Sequence, residues 1–190
     1  MEKGRWGSTG LVLLGRILMS GLAGSEEAGP PIRISVVGAG EASPEEQRLA
    51  EALGRALGEA GAVVVTGGLG GVMAAASKGC VEAGGTAIGL LPGTDPSDAN
   101  PWVTFPLATG LGEARNALVV RTGEAVVAVG GSWGTLSEIA LARKMGHSVV
   151  ILGDPPADLS LPRAKNPKEA AAWALHHAAE RRKGGSAPFG

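Results

Sequence analysis

The feature that most constrains this chain is a succession that occurs three times: a short apolar run rich in β-branched residues, a cluster of glycines, then a helical pattern. Ile32–Val37 leads into Gly38-Ala39-Gly40, Ala62–Thr66 into Gly67-Gly68-Leu69-Gly70-Gly71, and Ala125–Val129 into Gly130-Gly131-Ser132-Trp133-Gly134. Runs so short and so apolar suit strands buried on both faces, which is the condition of a parallel sheet. Parallel neighbours need crossovers, and the intervening helical patterns supply them. The expected fold is α/β: a doubly wound parallel sheet in three layers, α/β/α, forming a single domain.

The remaining elements follow from the same signals. Ser43-Pro44-Glu45-Glu46 offers an N-cap, a proline at the first helical position and acids in the first turn, and Leu49, Leu53, Ala56, Leu57 and Ala60 continue at helical spacing up to Gly61. Helices are further expected over Val72–Ala83, Glu113–Thr122, Thr135–Met145 and Pro167–Arg182. Strands are expected over Thr86–Leu91 and Ser148–Leu152, the latter as the last, with a short one at Val103–Phe105. Pro92–Trp102 and Pro155–Pro167 read as connectors. Residues 31–182 form the Rossmann-like binding domain on this reading, with 1–30 as a flexible N-terminal extension and 183–190 as a disordered tail. Leu11–Leu14 and Ile17–Met19 are too short and too interrupted by Arg16 to span a bilayer, and make a poor signal-peptide core.

Composition narrows the function. Seventeen Lys and Arg against 18 Asp and Glu leave no basic field for a nucleic-acid backbone. Cys80 is the single cysteine, so no internal disulfide and no cysteine zinc site can form, and a reducing cytoplasm is the expected compartment. No metal site is expected. The 32 glycines stand out in a chain of 190 residues without tyrosine, and small residues let backbone approach backbone or ligand.

In an open parallel sheet, ligands bind beyond the carboxyl ends of the strands. All three glycine loops belong there, and each precedes a helix whose free N–H groups favour an anion. Any one loop alone is explained by a tight turn; three on one edge point to a phosphate-bearing ligand. Gly38-Ala39-Gly40 lacks the third glycine of the dinucleotide fingerprint, which favours a mononucleotide over a redox dinucleotide. The candidate binding residues are Gly38, Gly40, Gly67, Gly68, Gly70, Gly71, Asn116, Gly130, Gly131, Ser132, Trp133, Gly134 and Thr135. Phosphate would rest on the N–H groups of Gly68 to Gly71 and Ser132 to Thr135, with the Thr135 hydroxyl as a further donor. Trp133 either stacks on a ligand ring or plugs a subunit contact. Glu138 stands three residues after Thr135, so it either completes a capping box or faces the ligand. Arg115 either brings positive charge to a phosphate or is a solvated surface residue.

Gly67-Gly68-Leu69-Gly70-Gly71-Val72-Met73 resembles the glycine-rich loop of the Lonely Guy family, often mislabelled as lysine decarboxylases. Gly134-Thr135 and Glu138 match the end of that family's Pro-Gly-Gly-x-Gly-Thr-x-x-Glu motif, and the resemblance spans roughly Ile32 to Leu152. It implies Arg115 and Glu138 as catalytic residues of a nucleoside 5′-monophosphate phosphoribohydrolase, which needs no cofactor and releases base and ribose 5-phosphate. Gly130, Ser132, Asn116 and Glu113 depart from the family pattern. Gly-Gly-Ser-x-Gly-Thr-x-x-Glu together with Ala114-Arg115-Asn116 is more similar to the molybdenum cofactor carrier subgroup, which implies binding of a phosphate-bearing pterin. The ligands implied are thus the molybdenum cofactor or a nucleoside monophosphate, the partners a small phosphate ligand and further copies of the chain as a dimer or tetramer, with neither nucleic acid nor membrane.

Other residues read as structure. Cys80 is expected as a buried thiol, Met73 and Met145 as core, and Asp95 and Asp98 as turn formers. His147 is expected to be protonated at a helix end, and Leu118-Val119-Val120 to form an apolar surface open to a second subunit.

Overall fold

The computed structural model describes residues 29–155 and 157–184. Apart from Gly29, Pro30, Lys183 and Gly184, the expected extension and tail lie outside the described residues.

Seven strands form one parallel sheet in the order β4-β3-β2-β1-β5-β6-β7. They are β1 (Arg33–Gly38), β2 (Val63–Thr66), β3 (Thr86–Leu91), β4 (Phe105–Ala108), β5 (Ala125–Val129), β6 (Ser148–Leu152) and β7 (Arg163–Ala164). The α-helices are α1 (Pro44–Glu59), α2 (Gly71–Glu82), α3 (Asn116–Thr122), α4 (Trp133–Lys144) and α5 (Pro167–Lys183). The chain steps outward from β1 to β4, returns to the other side of β1, and continues from β5 to β7. The reversal of direction falls between β1 and β5, the place where doubly wound sheets bind ligands.

Period-two alternation divides the core. On one face Ile34, Val36, Val64, Val127 and Val150 meet Leu53 and Leu57 of α1, Val72 and Ala76 of α2, and Ala170, Ala174 and Ala178 of α5. On the other, Val37, Val65, Val126, Ala128, Val149 and Ile151 meet Val119 and Val120 of α3 and Ile139 and Ala142 of α4. Both faces are therefore covered, as the apolar strands require.

Some glycines serve this packing directly. A Cβ on Gly54 would stand 2.0 Å from the Ala76 carbonyl oxygen, and one on Gly79 would stand 1.9 Å from that of Glu51. Hence α1 and α2 touch backbone to backbone. The Cys80 thiol is buried beside this contact, and burial raises its pKa.

Four expectations need correction. The strand placed at Val103–Phe105 runs over Phe105–Ala108 instead, because Val103 N–H turns back to the Asn100 carbonyl and only an edge strand tolerates Pro106. Ser148–Leu152 is not the last strand, since β7 pairs with it through Ile151 and Leu152. Glu113–Thr122 opens as a 3-10 turn over Gly112–Arg115 before α3 begins. Val119 and Val120 lie in the core, so of the expected apolar surface only Leu118 is exposed.

Candidate functional site

The three glycine loops lie at one edge of the sheet, after β1, β2 and β5, with β1 between the other two. The first two are locked together. Val72 N–H donates to the Ala39 carbonyl at 3.0 Å, and Gly71 (φ 58°) passes so near Ala39 and Gly40 that a Cβ would lie 2.2 Å from the Ala39 oxygen. Only glycine fits there. The third loop is tied to the first through Glu46, one turn into α1. One Glu46 oxygen accepts from Ser43 N–H at 2.8 Å, and the other accepts from Gly131 N–H at 3.2 Å. These bonds, led by that of Ser43, hold the Glu46 carboxyl below its usual pKa. Gly130 (φ 54°) presses on the same carboxylate.

A second brace comes from Asn100, in the connector after β3. Its amide donates to the Gly68 carbonyl at 3.0 Å and to that of Leu69 at 2.9 Å. With those carbonyls engaged, the amides of Gly70 and Gly71 are left with no protein acceptor among the described residues. The same is true of Trp133 and Gly134, which open α4. Two expected donors are already occupied: Gly68 N–H bonds Thr66 Oγ1 at 3.1 Å, and Ser132 N–H bonds Thr135 Oγ1 at 3.3 Å.

Arg115 enters this edge from the 3-10 turn that precedes α3, and Glu138 enters it from α4. Arg115 is no surface residue: it is 6% exposed, and its Nε is buried without a hydrogen-bond partner. Its guanidinium lies against the second glycine loop, where a Cβ on Gly67 would come within 2.0 Å of one terminal nitrogen. Glu138 is 8% exposed. The helix cap is made three residues earlier, between Ser132 and Thr135, so Glu138 has no capping task. Burial raises its carboxyl to about 7, opposed by the nearby Arg115 cation and assisted by Glu113. Burial likewise lowers the pKa of Arg115, while Glu138 and Glu113 favour its charge. The two buried side chains thus each favour the other's charged form.

The structure brings Gly38, Gly40, Gly67, Gly70, Gly71, Arg115 and Glu138 into one region, with Gly130, Gly131, Ser132, Gly134 and Thr135 bounding it through Glu46 and α4. Asn116 is half-buried next to Arg115. Trp133 is 85% exposed at the head of α4. Sequence reasoning missed three contributors. Glu46 and Asn100 act through tertiary hydrogen bonds. Met73, expected in the core, instead sets its sulfur against Gly67 and its methyl toward Gly40. Asp95 makes the expected turn, accepting from Ser97 N–H at 2.8 Å. His147 differs from expectation: burial first, then Arg181 and Arg121, lower its pKa to about 4, so it is neutral at pH 7.

Against known proteins, the model of the SLOG cluster4 family matches residues 31–181. The chain belongs to the SLOG cluster4 family. Among similar sequences is an uncharacterized protein of Archaeoglobus fulgidus, 38% identical over 144 residues, covering 76% of this chain and 95% of the relative. Among solved structures, the molybdenum cofactor binding protein from Rippkaea orientalis is 34% identical with a TM-score of 0.73, covering 78% of this chain and 98% of that one. The molybdenum cofactor carrier protein of Chlamydomonas reinhardtii is 36% identical with a TM-score of 0.72, covering 79% and 99%. This SLOG cluster4 protein shares its Rossmann-like α/β arrangement with both. No helix among the described residues is long and apolar enough to cross a membrane.

Proposed function

We propose that residues 31–182 bind a phosphate-bearing small molecule at the glycine edge, and that the ligand is a phosphate-bearing pterin of the molybdenum cofactor type. One observation carries this reading: a nearly buried arginine with an unpartnered Nε lies against a glycine loop whose outward amides are free. A buried guanidinium nitrogen without a hydrogen-bond partner is costly, and an anion drawing on it and on the Gly70, Gly71, Trp133 and Gly134 amides offsets that cost. Trp133 has an exposed ring suited to cover a flat heterocycle. The two carriers of similar structure support the pterin.

A second reading rests on Glu138. A carboxyl poised near neutrality beside a cation suits hydrolysis of a nucleoside 5′-monophosphate to base and ribose 5-phosphate. Glu138 would activate water or stabilise the oxocarbenium-like sugar, and Arg115 would hold phosphate or the leaving base. No added cofactor enters this reaction.

Incubation of the protein with AMP, following free adenine, separates the two. Release that disappears in both Glu138→Gln and Arg115→Ala establishes the hydrolase. Saturable binding of the phosphate-bearing pterin without base release establishes the carrier. We place either activity in the cytoplasm and in a homo-oligomer, dimer or tetramer, with Phe105, Leu107, Leu111, Leu118 and Trp133 as the exposed apolar residues available to a subunit contact.

A further inference from the structure

Arg115 and Glu138 are both nearly buried, 6% and 8% exposed, yet neither satisfies the other. They form no ion pair at contact distance, the Arg115 Nε has no hydrogen-bond partner, and the Glu138 carboxyl has none among the described residues. Contact is what ordinarily offsets the lost hydration of buried opposite charges. Here the guanidinium is committed instead to the second glycine loop, where a Cβ on Gly67 would come within 2.0 Å of a terminal nitrogen.

Few charges act on Glu138. Arg115 favours its ionised form, while burial and Glu113, on the same 3-10 turn as Arg115, oppose it. The strands β1, β5 and β6, on which α4 also packs, bring no ionisable side chain to this edge: β5 and β6 contain none, and Arg33 stands at the far end of β1. Glu46, across the third glycine loop, is occupied by the amides of Ser43 and Gly131. Arg115 is therefore the one cation among the described residues that favours an ionised Glu138.

An anion that binds Arg115 cancels this influence. Its own charge also opposes a second negative charge nearby, in the same sense as Glu113 and burial. Ligand and ionised carboxylate thus compete for one guanidinium. We propose that Glu138 makes ligand retention proton-linked: the protein takes up a proton at Glu138 as it receives its anion, and releases the anion as that carboxyl ionises. The inference rests on the reading that the glycine edge receives a phosphate-bearing ligand, and it gives Glu138 a task in a carrier that performs no hydrolysis. Because a proton is taken up on binding, affinity falls as pH rises. Below about 7 the carboxyl is already neutral and the dependence fades; above it, ionised Glu138 must regain its proton before the anion is held.

The test uses the full chain, wild type and Glu138→Gln, with ribose 5-phosphate and with the phosphate-bearing pterin, neither of which carries an N-glycosidic bond to break. Titrations at about pH 7 and about pH 8.5 keep the phosphate largely dianionic. Amide shifts at Gly70, Gly71, Trp133 and Gly134 report affinity, and calorimetry in two buffers of different ionisation enthalpy counts protons. Subtracting the count of the variant, which has no carboxyl to titrate, cancels any proton that the ligand itself exchanges. Between the two pH values wild type should lose about tenfold more affinity than Glu138→Gln, and at the higher pH it should take up nearly one proton more per ligand. A carboxyl with a merely structural role would not move the proton count. Saturable binding with the same proton count and the same pH dependence in both proteins overturns this inference and leaves the anion site standing. Saturable shifts from neither ligand at about pH 7 overturn the anion site, and this inference with it.

Discussion

At the residue scale, Glu138 and Arg115 form the unusual pair. Glu138 has a folded-state pKa of about 7 against 4.5 when free, so the folded chain holds its proton more tightly than the unfolded one. Stability contributed by the neutral acid is present below the unfolded value and declines as pH rises from 4.5 to about 7. Glu138→Gln removes that decline. Urea denaturation at pH 8 should show the variant more stable by up to about 3 kcal/mol, with the difference vanishing near pH 4. Equal stabilities at both pH values would contradict the burial assigned to this carboxyl. Arg115 depends on Gly67 having no side chain. Gly67→Ala should displace the guanidinium and weaken ligand binding about tenfold or more, the cost of one charge-assisted hydrogen-bonded contact.

At the element scale, what matters is how helices are fixed to strands and to each other. Gly54 and Gly79 allow α1 and α2 to touch, and either Gly→Ala change should cost about 1–3 kcal/mol, read as a lower denaturation midpoint with an unchanged slope. Glu46 belongs to α1 yet serves the loop after β5. Glu46→Ala should lose about 1 kcal/mol of capping energy and also reduce ligand affinity, whereas Ser43→Ala should lose the cap alone. Amide exchange at Gly131 distinguishes them: faster in Glu46→Ala, unaltered in Ser43→Ala.

These elements also show how far the sequence can be read. β1, β3, β5 and β6 were legible because buried parallel strands announce themselves as apolar runs, and Ser43-Pro44 marked the start of α1 within a residue. β7 was not, since two residues pairing with an edge carry no periodicity. The glycine loops were legible as loops, but composition could not separate Gly54 and Gly79, which serve helix packing, from Gly70 and Gly71, which leave amides free. Arg115 and Glu138 could each be singled out with two readings only, and their catalytic roles were implied by resemblance alone, because neither burial nor mutual approach is written in a local pattern. Asn100 and Glu46 escaped notice for the same physical reason: their partners are 31 and 85 residues away.

At the scale of the whole molecule, the two ends of one parallel sheet are differently equipped. The carboxyl edge offers main-chain amides, a buried arginine and a carboxyl near neutrality; the amino edge offers arginine side chains around a neutral histidine. The apolar edge strand β4 exposes Phe105 and Leu107, and burial of these two in a subunit contact predicts that Phe105→Asp with Leu107→Asp lowers the mass seen by sedimentation. A species of unchanged mass would remove β4 from the assembly.

The central claim, that amides at the ends of β2 and β5 receive an anion together with Arg115, is tested most directly by backbone amide NMR during parallel titrations with AMP and with the phosphate-bearing pterin. Saturable shifts at Gly70, Gly71, Trp133 and Gly134 with at least one of these ligands, weakened in Arg115→Gln, are the predicted result. Titrations in which both ligands leave all four amides unmoved would contradict it.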